Sequence, residues 1–213
     1  MKTNAVQQTI KCARYEELRR SRPALWPAQD GPIRILEPTR GLARVAYEDP
    51  WTVLLVDEVE FPDGRLGTYV RSVGQDRPEG AVVIPMTSTG FVLLRHWRHA
   101  LQSWSLQFPR GFGEVDHSDL GTASAELREE TGLQARSFDR IGRVHGDDGL
   151  LLASAVVVLA RIDDDLSRLV TEPLASPEIL DFEEMRRAIA GGLITDGYTL
   201  SAWAILTASG QLP

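Results

Sequence analysis

The sequence predicts an α/β fold: a mixed β-sheet sandwiched between α-helices, with an N-terminal helix and β-hairpin extension. Three observations point to it. Runs of β-branched and apolar residues recur from Ala43 to Phe108 and again from Phe138 to Arg161. Helical patterns stand between and after those runs, at 119–131, 182–190 and 199–209. Val156-Val157-Val158-Leu159-Ala160 is a continuous apolar run, as a strand covered on both faces requires.

In chain order, residues 4–21 read as a helix with Val6, Ile10, Ala13 and Leu18 roughly on one side, free to pack on its own domain or on a partner subunit. Pro23, Pro27 and Pro32, with Asp30-Gly31, make 22–32 a linker, and a short strand follows at Ile33 to Glu37. Trp51 to Phe61 and Leu66 to Val73 flank the turn Pro62-Asp63-Gly64 and form a hairpin. Arg77 to Gly80 is a connector. Strands are expected at Ala81 to Met86, Gly90 to Arg95 and Trp104 to Phe108. Beyond the central helix, strands are expected at Phe138 to His145 and Leu151 to Arg161. A polar loop, Asp163 to Pro177, leads to a short strand at Glu178 to Asp181. A helix at Phe182 to Ala190 stops at Gly191-Gly192, and Thr199 to Ser209 forms the last helix. The expected division is 1–42 (helix and linker), 43–79 (hairpin subdomain, used for dimerisation) and 80–213 (main domain).

The chain has 213 residues, 43% of them hydrophobic, which suffices for a sizeable core. A net charge of −7 with dispersed acidic residues argues against a nucleic-acid partner. Cys12 is the sole cysteine, so an internal disulfide is excluded and one signal of secretion is missing. The N-terminal stretch lacks an apolar core long enough for a signal peptide or a membrane span, and a cytoplasmic location is expected. The four histidines, at 96, 99, 117 and 145, lack zinc-like spacing.

The chain is organised around Phe108 to Leu133. Asp119 is a plausible N-cap there and Gly132 a glycine stop, with Leu120, Ala123 and Leu127 as an apolar stripe. Glu126, Glu129 and Glu130 fall within an arc of about 100° on that helix. Like charges at these spacings cost a few tenths of a kcal/mol in a bare helix, on the order measured for such pairs. A hard divalent cation such as Mg²⁺ supplies the reason to keep them, because it takes oxygen ligands and leaves room for phosphate oxygens.

Gly111, Glu126, Leu127, Glu129, Glu130, Gly132 and Leu133 stand in the register of the Nudix box, and the stretch resembles that family's motif. His117 stands where the box has its first Glu, and Ala125 where it has Arg. The strand and helix order from about residue 80 to 209 is similar to the Nudix fold. The preceding hairpin and the C-terminal Gly192-x-Ile194-x-Asp196-Gly197 resemble the branch that hydrolyses ADP-ribose and nucleoside diphosphate sugars, whose hairpin commonly exchanges across a homodimer interface.

The resemblance implies a Mg²⁺- or Mn²⁺-dependent hydrolase that splits the pyrophosphate of such a compound into two phosphomonoesters. It implies Glu126 and Glu130 as metal ligands, Glu129 as a third ligand, outer-shell or catalytic carboxylate, and the Arg110 carbonyl as a further ligand. Gly111 keeps the loop beside them free of side chain and able to adopt positive φ. Glu114 is a loop carboxylate able to swing towards the ions and substrate. Glu172 is the first choice for general base, with Asp163, Asp164 and Asp165 as alternatives. Arg98 is placed for substrate phosphates, with Arg95 or Arg110 assisting. Trp51 is placed for stacking an adenine. Losing Glu and Arg from the box together strands neither charge, so a metal-competent site is still expected. The alternative is a Nudix-like module that binds a nucleotide without turnover, which His117 and Ala125 motivate.

Overall fold

The computed structural model describes residues 2–26, 31–74, 78–113 and 116–212, with side chains from residue 9 onward. In chain order the elements are α1 (Lys2–Ser21), β1 (Arg34–Ile35), β2 (Arg44–Glu48), β3 (Thr52–Glu60), β4 (Leu66–Gly74), β5 (Gly80–Met86), β6 (Gly90–Arg98), β7 (Ser103–Gln107), β8 (Arg110–Gly111), α2 (Asp119–Thr131), β9 (Ala135–His145), β10 (Leu151–Leu152), β11 (Ser154–Ile162), β12 (Ala175–Asp181), α3 (Phe182–Ala190) and α4 (Gly197–Ser209). They form two compact units, Met1–Asp76 with Asp147–Ala153, and Arg77–Gly146 with Ser154–Pro213. Among the described residues no helix is long and apolar enough to cross a membrane.

In the first unit, β3 and β4 pair antiparallel along their whole length around a turn at Phe61–Arg65. β1 and β2 share the other edge of β3, and β10 adds to β4 in parallel. The expected hairpin is therefore part of a five-stranded sheet. Helix α1 packs within its own unit: Tyr15 and Leu18 are buried with Val45, Val53, Leu55 and Val73. Two buried carboxylates fix this arrangement. Asp57 accepts from the Tyr15 hydroxyl at 2.5 Å and pairs with Arg71, while Glu58 accepts backbone N–H bonds from Leu42 at 2.8 Å and Ala43 at 3.1 Å. The expected strand from Leu151 to Arg161 is broken at Ala153, because its first two residues take β4 as partner and the rest take β5 and β9.

The second unit holds a mixed seven-stranded sheet, with β12, β6, β5, β11 and β9 side by side. Successive residues of its central strands alternate between two cores, as a sheet covered on both faces must. Val82, Ile84, Val157 and Leu159 join Met185, Ala188, Ala202 and Leu206 from α3 and α4. Ala81, Val83, Val156 and Val158 join Ala123 and Leu127 from α2. Leu120, expected on the buried stripe of α2, is exposed. The N-cap of α2 is Ser118, whose hydroxyl accepts from the Gly121 N–H at 3.2 Å; Asp119 is already the first helical residue and pairs with Arg140. Gly132 ends the helix at φ 76°, and a Cβ there would collide with the Arg168 carbonyl.

One irregularity positions the site. β5 and β6 pair only at Met86 and Phe91, then part. The gap is filled by a single stretch: β7 pairs with the C-terminal half of β6, and β8 with the first residues of β5. Phe108 and Pro109 bridge the split.

Candidate active site

Alternation along β6 decides which side chains enter the site. Phe91 and Leu93 belong to the core under α3 and α4, whereas Val92 belongs to the core under α2. Continuing the alternation carries His96 and Arg98 to the α2 face, just beyond the end of its apolar contact. On β7 Leu106 lies in the opposite core, so Gln107 joins them. The Arg98 Nε donates to Gln107 Oε1 at 2.8 Å.

Helix α2 presents Glu126 and Glu130 to the backbone of β8. Glu130 Oε2 accepts the Arg110 N–H at 3.0 Å. A Cβ placed on Gly111 would overlap the Glu126 carboxylate. Glycine lets the Glu126 carboxylate approach the backbone closely in this position, and it serves no left-handed backbone, since Gly111 is not among the positive-φ residues. Glu130 is only partly exposed. Burial raises its pKa, against the pull of the Arg110 N–H bond, Arg98 and Arg110, and Glu172 pushes the same way as burial. Glu129 points outward, with its nearest ion-pair partner Arg128 at 3.8 Å.

Two guanidiniums face these carboxylates. Arg110 donates to Asp196 Oδ1 at 2.9 Å and lies 4.6 Å over the Tyr198 ring. Asp196 in turn caps α4 through the Thr199 N–H, and the Thr199 hydroxyl accepts from Phe108 N at 3.0 Å. Arg98 has its pKa lowered by burial and by Arg110, against Asp196 and Glu130. His96 is likewise lowered by burial, then by Arg98 and Arg110, with Glu172 opposing; its Nδ1 is buried without a partner.

Glu172 reaches this cluster through a tight turn. Its N–H donates to the Ala175 carbonyl at 2.7 Å, and Ala175 stands opposite His96 where β12 meets β6. The alternatives for general base are engaged elsewhere: Asp163 with Arg136, Asp164 with Ser88, and Asp165 with the Ser167 N–H. Arg95 pairs with Glu178 and, by alternation, faces away from Arg98.

A model of the NUDIX domain family matches residues 76–196, more than half of the chain. The chain belongs to the Nudix family. Its fold is also that of a crystal structure described as an ADP compounds hydrolase, with a TM-score of 0.70 and 17% identity, covering 87% of this chain and 100% of the other. No curated protein matches the sequence. The enzyme class is a Nudix-type pyrophosphohydrolase.

The Nudix box thus supplies two carboxylates one helical turn apart, against a backbone kept bare by Gly111. Among the described residues, no three His, Cys, Asp or Glu side chains form a ready cage for a metal. The pair nevertheless fits Mg²⁺, which is commonly held by one or two carboxylates together with waters and substrate phosphates. Of the other box positions, His117 is exposed ahead of the Ser118 cap, and Ala125 is partly buried on α2. Trp51 belongs to the first unit and is exposed, with its N–H donating to Asp49. Glu114 lies outside the described residues.

Gln107, His96, Asp196 and Tyr198 were not picked out as site residues from the sequence. Asp196 had a signal in the Gly-x-Ile-x-Asp-Gly pattern, but its bond to Arg110 spans 86 residues. Gln107 had none, because its place depends on the pairing of β7 with β6.

Proposed function

We propose that this Nudix enzyme hydrolyses the pyrophosphate bond of ADP-ribose or a related nucleoside diphosphate sugar, giving two phosphomonoesters. The supporting observation is the convergence of Arg98 and Arg110 on the sheet face where α2 presents Glu126 and Glu130. Two cations beside a pair of carboxylates match a diphosphate bridged to Mg²⁺ or Mn²⁺. When bound, the metal neutralises phosphate oxygens and acidifies a coordinated water.

Glu126 and Glu130 would hold the ion together with the Arg110 carbonyl, and Glu129, which points outward, would serve as an outer-shell carboxylate. Gly111 leaves room beside them, and Glu114 comes from the loop that follows. Arg98 and Arg110 bind the phosphates, while Glu172 accepts the proton of the attacking water. The enzyme works in the cytoplasm as a homodimer.

The test is a panel of ADP-ribose and nucleoside diphosphate sugars incubated with Mg²⁺, with products resolved by chromatography. Phosphomonoester products are expected from at least one member. Tight binding without any product would instead establish the non-hydrolytic reading that His117 and Ala125 motivate.

A further inference from the structure

Gln107 is completely buried, yet only half of its amide is satisfied. Oε1 accepts from Arg98 Nε, and because a guanidinium can only donate, this bond fixes which end of the amide is oxygen. The Nε2 donor is left buried with no acceptor. For stability alone the position is poorly filled. Methionine would occupy a similar volume without an orphaned donor, and glutamate would pair with Arg98 through charge.

The two guanidiniums of the site differ in the same respect. Arg110 is paired with a carboxylate, Asp196, at 2.9 Å. Among the described residues Arg98 has no ion-pair partner, and its side chain is held by a neutral oxygen. Glu130, the nearby carboxylate, is spent on the Arg110 N–H.

We propose that Gln107 is a positioning residue: its amide oxygen orients Arg98 without neutralising it, reserving that charge for the diphosphate of the substrate. This rests on the nucleoside diphosphate reading above. Burial beside Arg110 already disfavours the cationic form of Arg98, so an incoming anion relieves an electrostatic cost set up in the free protein.

Calorimetry with α,β-methylene-ADP and Mg²⁺ tests this, because the P–C–P bridge binds without being hydrolysed. Gln107→Glu retains an acceptor for Arg98 Nε but neutralises the guanidinium. It should leave Tm at or above the wild-type value and weaken binding about tenfold or more, the scale of one charge-assisted contact. In turnover, KM should rise by more than kcat falls. Gln107→Met keeps the volume but removes the acceptor, and it should weaken binding with no gain in Tm. If Gln107→Glu does not fold, Gln107→Met carries the test. Wild-type affinity in a folded variant of either kind overturns the assignment and leaves Gln107 a packing residue. Failure of the wild-type protein to bind the analogue overturns the diphosphate reading itself, and this inference with it.

Discussion

The Arg110 N–H donates to the Glu130 carboxylate at 3.0 Å, tying the strand before the box loop to the helix that carries the candidate metal ligands. In the proposed function the metal site and the phosphate site share this one residue, through its backbone on one side and its guanidinium on the other.

Glu130→Gln preserves an acceptor for that N–H while removing a partly buried charge. The variant should fold with Tm at or above the wild-type value, since burial disfavours the ionised form. Metal-dependent turnover should be lost, because an amide lacks the negative charge that a hard cation requires. Wild-type activity together with wild-type stability would place the metal elsewhere.

Gly111→Ala drives a methyl group into the Glu126 carboxylate. Overpacking of a close-packed interior costs about 1–3 kcal/mol, and this partly exposed contact with the end of a flexible side chain falls at the low end, about 1 kcal/mol or less. Urea denaturation should show a loss of that size, and Mn²⁺ titration should show weaker binding because Glu126 is displaced. A variant matching the wild type in both would mean that the carboxylate swings away freely and is not held at the loop.

The box helix and the succession of strands and helices were legible because they rest on local signals: hydrophobic period, like-charge spacing and a glycine stop at Gly132. The cap was misplaced by one residue, since Ser118 and Asp119 are both competent caps and only the backbone path selects Ser118. The break at Ala153 was hidden in an apolar run, because β10 is defined by a partner, β4, about 80 residues earlier. Gly111 is legible as a position kept free of side chain, but its backbone takes no positive φ. Its actual constraint, the Glu126 side chain, is tertiary. Glu172 could be shortlisted from its loop, but only the turn to Ala175 brings it beside His96.

Glu79 provides a pH-dependent element of stability in the second unit. Burial raises its pKa, but bonds from the Ser154 hydroxyl at 2.5 Å and the Arg143 guanidinium at 2.8 Å outweigh burial and hold it below the ordinary 4.5. A carboxyl depressed on folding contributes stability that is complete above its unfolded pKa and is lost as pH falls through the folded value. Urea melts from pH 7 to pH 3 should therefore show wild type and Glu79→Gln separated at neutral pH and converging in acid. A gap that stays constant across that range would assign the effect to packing alone.

Homodimerisation is expected from the first unit. Although α1 covers part of its sheet, Tyr47, Trp51, Leu66, Tyr69 and Val70 remain exposed. Such residues on β2–β4 and the turn beside them are suited to burial against a second copy. Light scattering at micromolar concentration should give twice the chain mass; a species near 23.6 kDa would refute the dimer.

The two departures from the Nudix box should be coupled. Ala125→Arg alone places a cation beside Glu126, where it competes with the metal for that carboxylate. His117→Glu alone adds an anion close to the start of a helix that already carries Glu126, Glu129 and Glu130. Made together, the changes restore the ion pair of an intact box. A helical arginine projects back towards the N-terminus of its helix, the direction in which His117 lies. The double variant should match or exceed wild-type turnover while each single change falls below the pair. The coupling should be about 0.5–3 kcal/mol, the range for residues in direct contact. A double-mutant cycle in kcat/KM on the substrate found by the panel measures it. Strict additivity would show that positions 117 and 125 do not meet in this protein, and that its loop enters α2 along a path of its own.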